Sequence, residues 1–116
     1  MEPELAPLRK DAGRLNDPPT LILASLADGP KHGWALLQDI ESFAGVRLGP
    51  GTLYGAIGRL EQRGSIEAAE AVGRARPYRL TDAGREQLEG ELASMRTIVE
   101  VGSARLASAR PIGGLA

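Results

Sequence analysis

Arg74 and Arg76 stand two positions apart in the stretch Gly73-Arg74-Ala75-Arg76, with no acid beside or between them. A guanidinium presents a planar fork of donors that matches phosphate oxygens, so two of them on one turn suit contact with a polyanion better than mere solvation of the turn. Thr52 and Tyr54 place two hydroxyls at the start of a helical segment, where free backbone amides reinforce the attraction for phosphate. The plainer alternative is that Thr52 caps the helix and Tyr54 packs at its rim. Arg59, further along the same segment, suits bidentate recognition of guanine or of phosphate, against the alternative of a solvated side chain near Glu61. Lys31 and His32 precede another helical segment and are candidates for a backbone-phosphate contact, a structural role being the preferred reading for His32.

Catalysis fits these residues poorly. His32 is the only histidine, no carboxylate cluster accompanies it, and cysteine is absent, which removes disulfides, thiolate nucleophiles, Fe–S clusters and cysteine-type zinc sites together. No nucleophile and base, metal cluster or phosphate-binding loop can be assembled, so no catalytic residue, metal or cofactor is expected. The net charge is only −1, yet it is unevenly spread. Residues 47–79 carry six basic and three acidic groups, net +3, while the segments before and after are net −3 and −1. Local charge decides attraction to phosphate, and the middle segment is the basic one.

The elements that position these residues follow from periodicity. Asp17 before Pro18 and Pro19 reads as the start of a short helix through Leu21 to Ala27, stopped by Asp28-Gly29. Trp34, Leu37, Ile40 and Ala44 recur at helical steps in a second helix that Gly45 ends. From Pro50 to Arg63, Leu53, Ala56, Ile57 and Leu60 share one side of a third helix, and Gly55, Gly58, Arg59 and Gln62 the other. Ser65 to Val72 and Pro77 to Leu80 suit a two-stranded hairpin with the arginines at its tip. Thr81 is a plausible cap for the last helix, although Gly84 stands where a capping box carries Glu or Gln. Along that helix Leu88, Leu92, Met95, Val99, Gly102 and Leu106 are spaced like the seam of a coiled coil, which calls for a partner helix. Pro111 and Gly113-Gly114 end it.

The fold expected is thus mainly α with a small β-hairpin: a winged helix-turn-helix followed by a long C-terminal dimerisation helix. Residues 1–16 form an N-terminal extension, 17–80 the winged-helix domain, 81–110 the dimerisation helix and 111–116 a tail. No stretch approaches the roughly 20 apolar residues that span a bilayer, and the first residues lack the pattern of a signal peptide, so the expected location is the cytoplasm.

Four stretches resemble the PadR-like transcriptional regulators: Leu21 to Leu26, Gly29-Pro30-Lys31-His32-Gly33-Trp34, Leu48 to Ile57 with its Pro-Gly-Thr-Leu-Tyr core, and Tyr78-Arg79-Leu80-Thr81-Asp82-Ala83-Gly84. The likeness runs from about Pro19 to Leu106. It implies a cytoplasmic homodimeric repressor of the short subfamily, binding a pseudo-palindromic operator in double-stranded DNA and responding to a small-molecule effector or stress signal. In that frame Lys31, His32, Thr52, Tyr54, Arg59, Arg74 and Arg76 contact DNA, and Leu88, Leu92, Met95, Val99 and Leu106 form the dimer interface. Trp34, where the family usually carries Tyr, is a candidate for lining an effector pocket, the alternative being core or interface. Gly58 replaces the larger polar residue more usual there, and with Gly55 it removes side chains that read bases. That thinness, with the small net charge, motivates a second reading, a winged-helix module that binds protein without reading DNA.

Overall fold

A computed structural model of the chain describes residues 17–71 and 73–109. The expected N-terminal extension 1–16, the expected tail 111–116 and position 110, the last of the expected dimerisation helix, lie outside the described residues.

Helix α1, Pro18–Leu26, opens on two prolines, which cost nothing where the first amides have no intrahelical partner. Its residues Leu21, Ile22, Leu23, Ser25 and Leu26 are all buried, so neighbours enclose it on most sides. Helix α2, Gly33–Ala44, begins at His32, whose Nδ1 accepts from the Ala35 amide at 3.4 Å, and ends at Gly45 in the left-handed conformation that glycine adopts without strain. Helix α3 spans Pro50–Arg63, with Gly49 as its extended first residue and Gly64 at φ 80 as its stop. Thr52 therefore stands three residues past the cap position, inside the first turn, and no side chain caps the helix.

Strands β1, Ile66–Ala68, and β2, Tyr78–Leu80, pair antiparallel in the register Ile66↔Leu80, Glu67↔Arg79 and Ala68↔Tyr78. The first strand is shorter than the apolar and polar alternation from Ser65 predicts. Past Ala68 the run Ala69-Glu70-Ala71 has weak β-propensity and no further strand to support it. The hairpin instead gains support from the loop before α2: Lys31 and Tyr78 exchange two backbone hydrogen bonds, at 3.1 and 2.9 Å.

Helix α4 runs from Asp82 to Ala109. Thr81 caps it, its Oγ1 accepting from the Gly84 amide at 3.0 Å and donating to the Gly64 carbonyl at 2.6 Å. The glycine in place of a capping-box acid has a steric cause, because a Cβ at 84 would overlap the carbonyl oxygen of Ser65. Only the first turns of α4 join the core, through Gly84 and Leu88. A polar chain fastens its base: Ser65 Oγ donates to Gln87 Oε1 at 2.7 Å, Gln87 Nε2 to Glu91 Oε2 at 3.1 Å, and Thr20 Oγ1 to Glu91 Oε1 at 2.8 Å.

The core draws Ile22, Leu23 and Leu26 from α1, Leu36 and Ile40 from α2, Leu53, Ala56, Ile57 and Leu60 from α3, Ile66 and Tyr78 from the hairpin, and Leu88 from α4. Each large aliphatic chain so buried contributes about 1.5–3 kcal/mol by leaving water. The rest of α4 projects away, which stretches the molecule to 64 Å against 26 and 21 Å across. Among the described residues, no helix is long and apolar enough to cross a membrane.

Candidate nucleic-acid interface

With Leu53, Ala56, Ile57 and Leu60 turned inward, α3 presents its opposite side to solvent. Helical periodicity puts Gly51, Gly55 and Gly58 along the crest of that side, Thr52 and Arg59 along one edge and Tyr54 along the other. A Cβ at Gly55 would lie 3.6 Å from Arg59 Nη1, so the Arg59 guanidinium rests one turn back over the glycine. Tyr54 is half exposed, and its ring lies across Gly33, where a Cβ would overlap the phenol. The Gly33 of the His-Gly-Trp motif is thus the position that lets α3 and the start of α2 approach each other.

The hairpin tip flanks this surface. Arg74 and Arg76 are exposed, and they line a shallow recess together with His32, Trp34 and Tyr54. Arg79 in the same hairpin is paired across the strands with Glu67 at 2.9 Å, and Arg47 is paired with Glu41 at 2.9 Å, which raises the Arg47 pKa through that hydrogen bond and charge. Of the six basic residues in 47–79, the four in no ion pair among the described residues are Arg59, Arg63, Arg74 and Arg76. The positive charge therefore concentrates on α3 and the hairpin tip.

The other candidates take different parts. Lys31 is largely covered, with Nζ donating to the Ser25 carbonyl and to Asp28 Oδ1, and this partner holds the Asp28 carboxyl below its ordinary pKa. Its ammonium is held at the end of α1 while its backbone pairs with Tyr78 of the hairpin, so it does not face the α3 surface as a free cation. His32 serves as the α2 cap. Trp34 is 63% exposed at the second position of α2, so it is not core, and it borders the recess at the hairpin tip. Leu88, at 5% exposure, belongs to the chain's own core, because the base of α4 lies against α1 and the hairpin; the exposed stripe begins one turn later, at Leu92. Beyond it Val99 and Leu106 are exposed, Met95 half-buried, and Ile98 and Val101 widen the apolar surface. The heptad pattern missed those two because they fall outside its a and d positions. Beside the stripe, Pro18 and Thr20 of α1 and Gly90, Met95 and Ile98 of α4 border an open groove of about 930 Å³.

Among the described residues, no group of three or more potential ligands is placed to hold a metal ion. Two helices supporting a third, a hairpin beside it and a long trailing helix define a winged-helix protein of the kind found in transcription regulators. The profile of the transcriptional regulator PadR-like family matches residues 22–90, more than half of the chain, and the chain belongs to that family. It is 54% identical over 82 residues, 71% of its length, to an uncharacterized 37.1 kDa protein in transposon TN4556 of Streptomyces fradiae, of which it covers 24%. To the transcriptional regulator Rv3488 of Mycobacterium tuberculosis it is 46% identical over 70 residues, 58% of this chain and 64% of that one. The chain thus spans less than two thirds of either relative. A PadR family transcription regulator from Clostridium difficile shares its fold at TM-score 0.69 and 23% identity, over 77% of this chain and 97% of the other.

Proposed function

We propose that this protein is a cytoplasmic, homodimeric repressor that occupies promoter DNA and excludes polymerase from it. The observation that carries the reading is the concentration, beside the outward side of α3, of arginines in no ion pair among the described residues. A helix fits the major groove, the glycine crest lets its axis come close, and Arg74 and Arg76 meet the adjacent phosphates or the minor groove. Thr52, Tyr54 and Arg59 supply the helix contacts. The apolar stripe from Leu92 to Leu106 supports pairing with a second copy, so that two α3 helices address a two-fold related site. An effector or stress signal acts by disfavouring the binding-competent geometry of that dimer.

The test is titration of purified protein with duplex fragments from its own promoter region across a range of salt concentrations. Affinity falls steeply as salt rises, and Arg74→Ala with Arg76→Ala lowers the slope of log K against log salt by about 2, one unit for each phosphate left without its arginine. Failure to bind any genomic fragment at low salt favours the protein-binding module instead.

A further inference from the structure

Trp34 is the chain's sole tryptophan, and an indole 63% exposed is a large apolar surface left open to water. It shares a recess of about 310 Å³ with Tyr54 of α3 and with Arg74 and Arg76 of the hairpin tip, over a floor that includes Gly33. Neither arginine is in an ion pair among the described residues. An indole fenced by two cations is complementary to one kind of occupant, an extended strand that alternates apolar and anionic groups. A sugar-phosphate backbone has that alternation: the deoxyribose lies against the ring face, the phosphates on either side meet the guanidiniums, and the indole N–H donates to a phosphate oxygen.

We propose that Trp34 is a DNA-contact residue, seating the backbone strand that passes between α3 and the hairpin tip. The inference rests on the DNA-binding reading above and extends it to a residue outside both α3 and the hairpin.

Because no second tryptophan contributes, wild-type emission reports on this one side chain. An end-labelled promoter duplex is titrated with protein while label anisotropy and tryptophan emission are followed. The expected result is that emission changes and acrylamide quenching weakens along the same curve as the anisotropy. Trp34→Ala raises Kd about tenfold while leaving the salt slope in place, and Trp34→Phe recovers part of the loss. Saturating anisotropy with tryptophan emission and acrylamide access unchanged overturns the inference and leaves DNA binding standing. Wild-type affinity in Trp34→Ala does the same. No anisotropy change at low salt overturns the DNA reading and this inference with it. The wild-type emission decides the matter even if a variant fails to fold.

Discussion

A Cβ at Gly33 would overlap the hydroxyl end of Tyr54, which is the far end of a half-exposed side chain and can swing aside. Gly33→Ala is therefore expected to cost less than about 1 kcal/mol of stability, since buried packing stays intact. It displaces Tyr54 from the α3 surface, and the expected outcome is a thermal melt close to wild type with weaker duplex binding in an anisotropy titration. Tyr78 behaves differently, because it is buried. Burial pushes its phenol above the ordinary 10.0, with Glu61 adding to the shift, Arg76 opposing it and Tyr54 adding a little. The folded chain then holds that proton more tightly than the unfolded one. The stability this lends is intact below pH 10 and is lost as pH climbs through the folded value. Tyr78→Phe should match wild type in urea denaturation at neutral pH and show a shallower decline above pH 10.

Helices α3 and α4 carry glycines of opposite meaning. At Gly84 a Cβ would collide with backbone, the Ser65 carbonyl, so Gly84→Ala must shift the base of α4 and is expected to destabilise by about 2–3 kcal/mol despite the better helix propensity of alanine. At Gly58 a Cβ meets open space, and Gly58→Ala should stabilise by about 1 kcal/mol. Denaturant midpoints of the two variants, moving in opposite directions, check both. The contrast also shows what a sequence discloses. The span of α3 was legible to the residue, because Pro50 and Gly64 mark its ends and an apolar stripe marks its inner side. The cap at Thr81 was legible as well, but the reason for Gly84 was not, since it depends on a carbonyl 19 positions earlier in the chain. Likewise Lys31 reads as a free cation until folding brings the Ser25 carbonyl to it, and the first hairpin strand reads long because local alternation says nothing about whether a neighbouring strand exists.

Across the molecule as a whole, α4 divides into an inner part that completes the core and an outer part that no other element covers among the described residues. Leu88 and Leu106 have the same residue type and fall on the same stripe, so their spacing alone could not separate them. Burial does, at 5% against 77%. Leu88→Glu places an unpaired charge in the core and should cost about 3–5 kcal/mol, seen as loss of cooperative unfolding by circular dichroism. Leu106→Glu leaves each chain folded and is expected to yield monomers in sedimentation; a dimeric mass for that variant removes the outer stripe from the proposed interface.

The outer part of α4, residues 92–109, extends about 27 Å at 1.5 Å per residue. In a dimer joined through that length it works as a lever. A tilt of about 10° at the base moves the far end by about 5 Å, and one base pair advances the DNA axis by about 3.4 Å. The fulcrum is the short polar chain from Ser65 through Gln87 and Glu91 to Thr20. Rearranging a few hydrogen bonds there would put the two recognition helices out of step with their half-sites, without unfolding a single turn of either winged-helix domain.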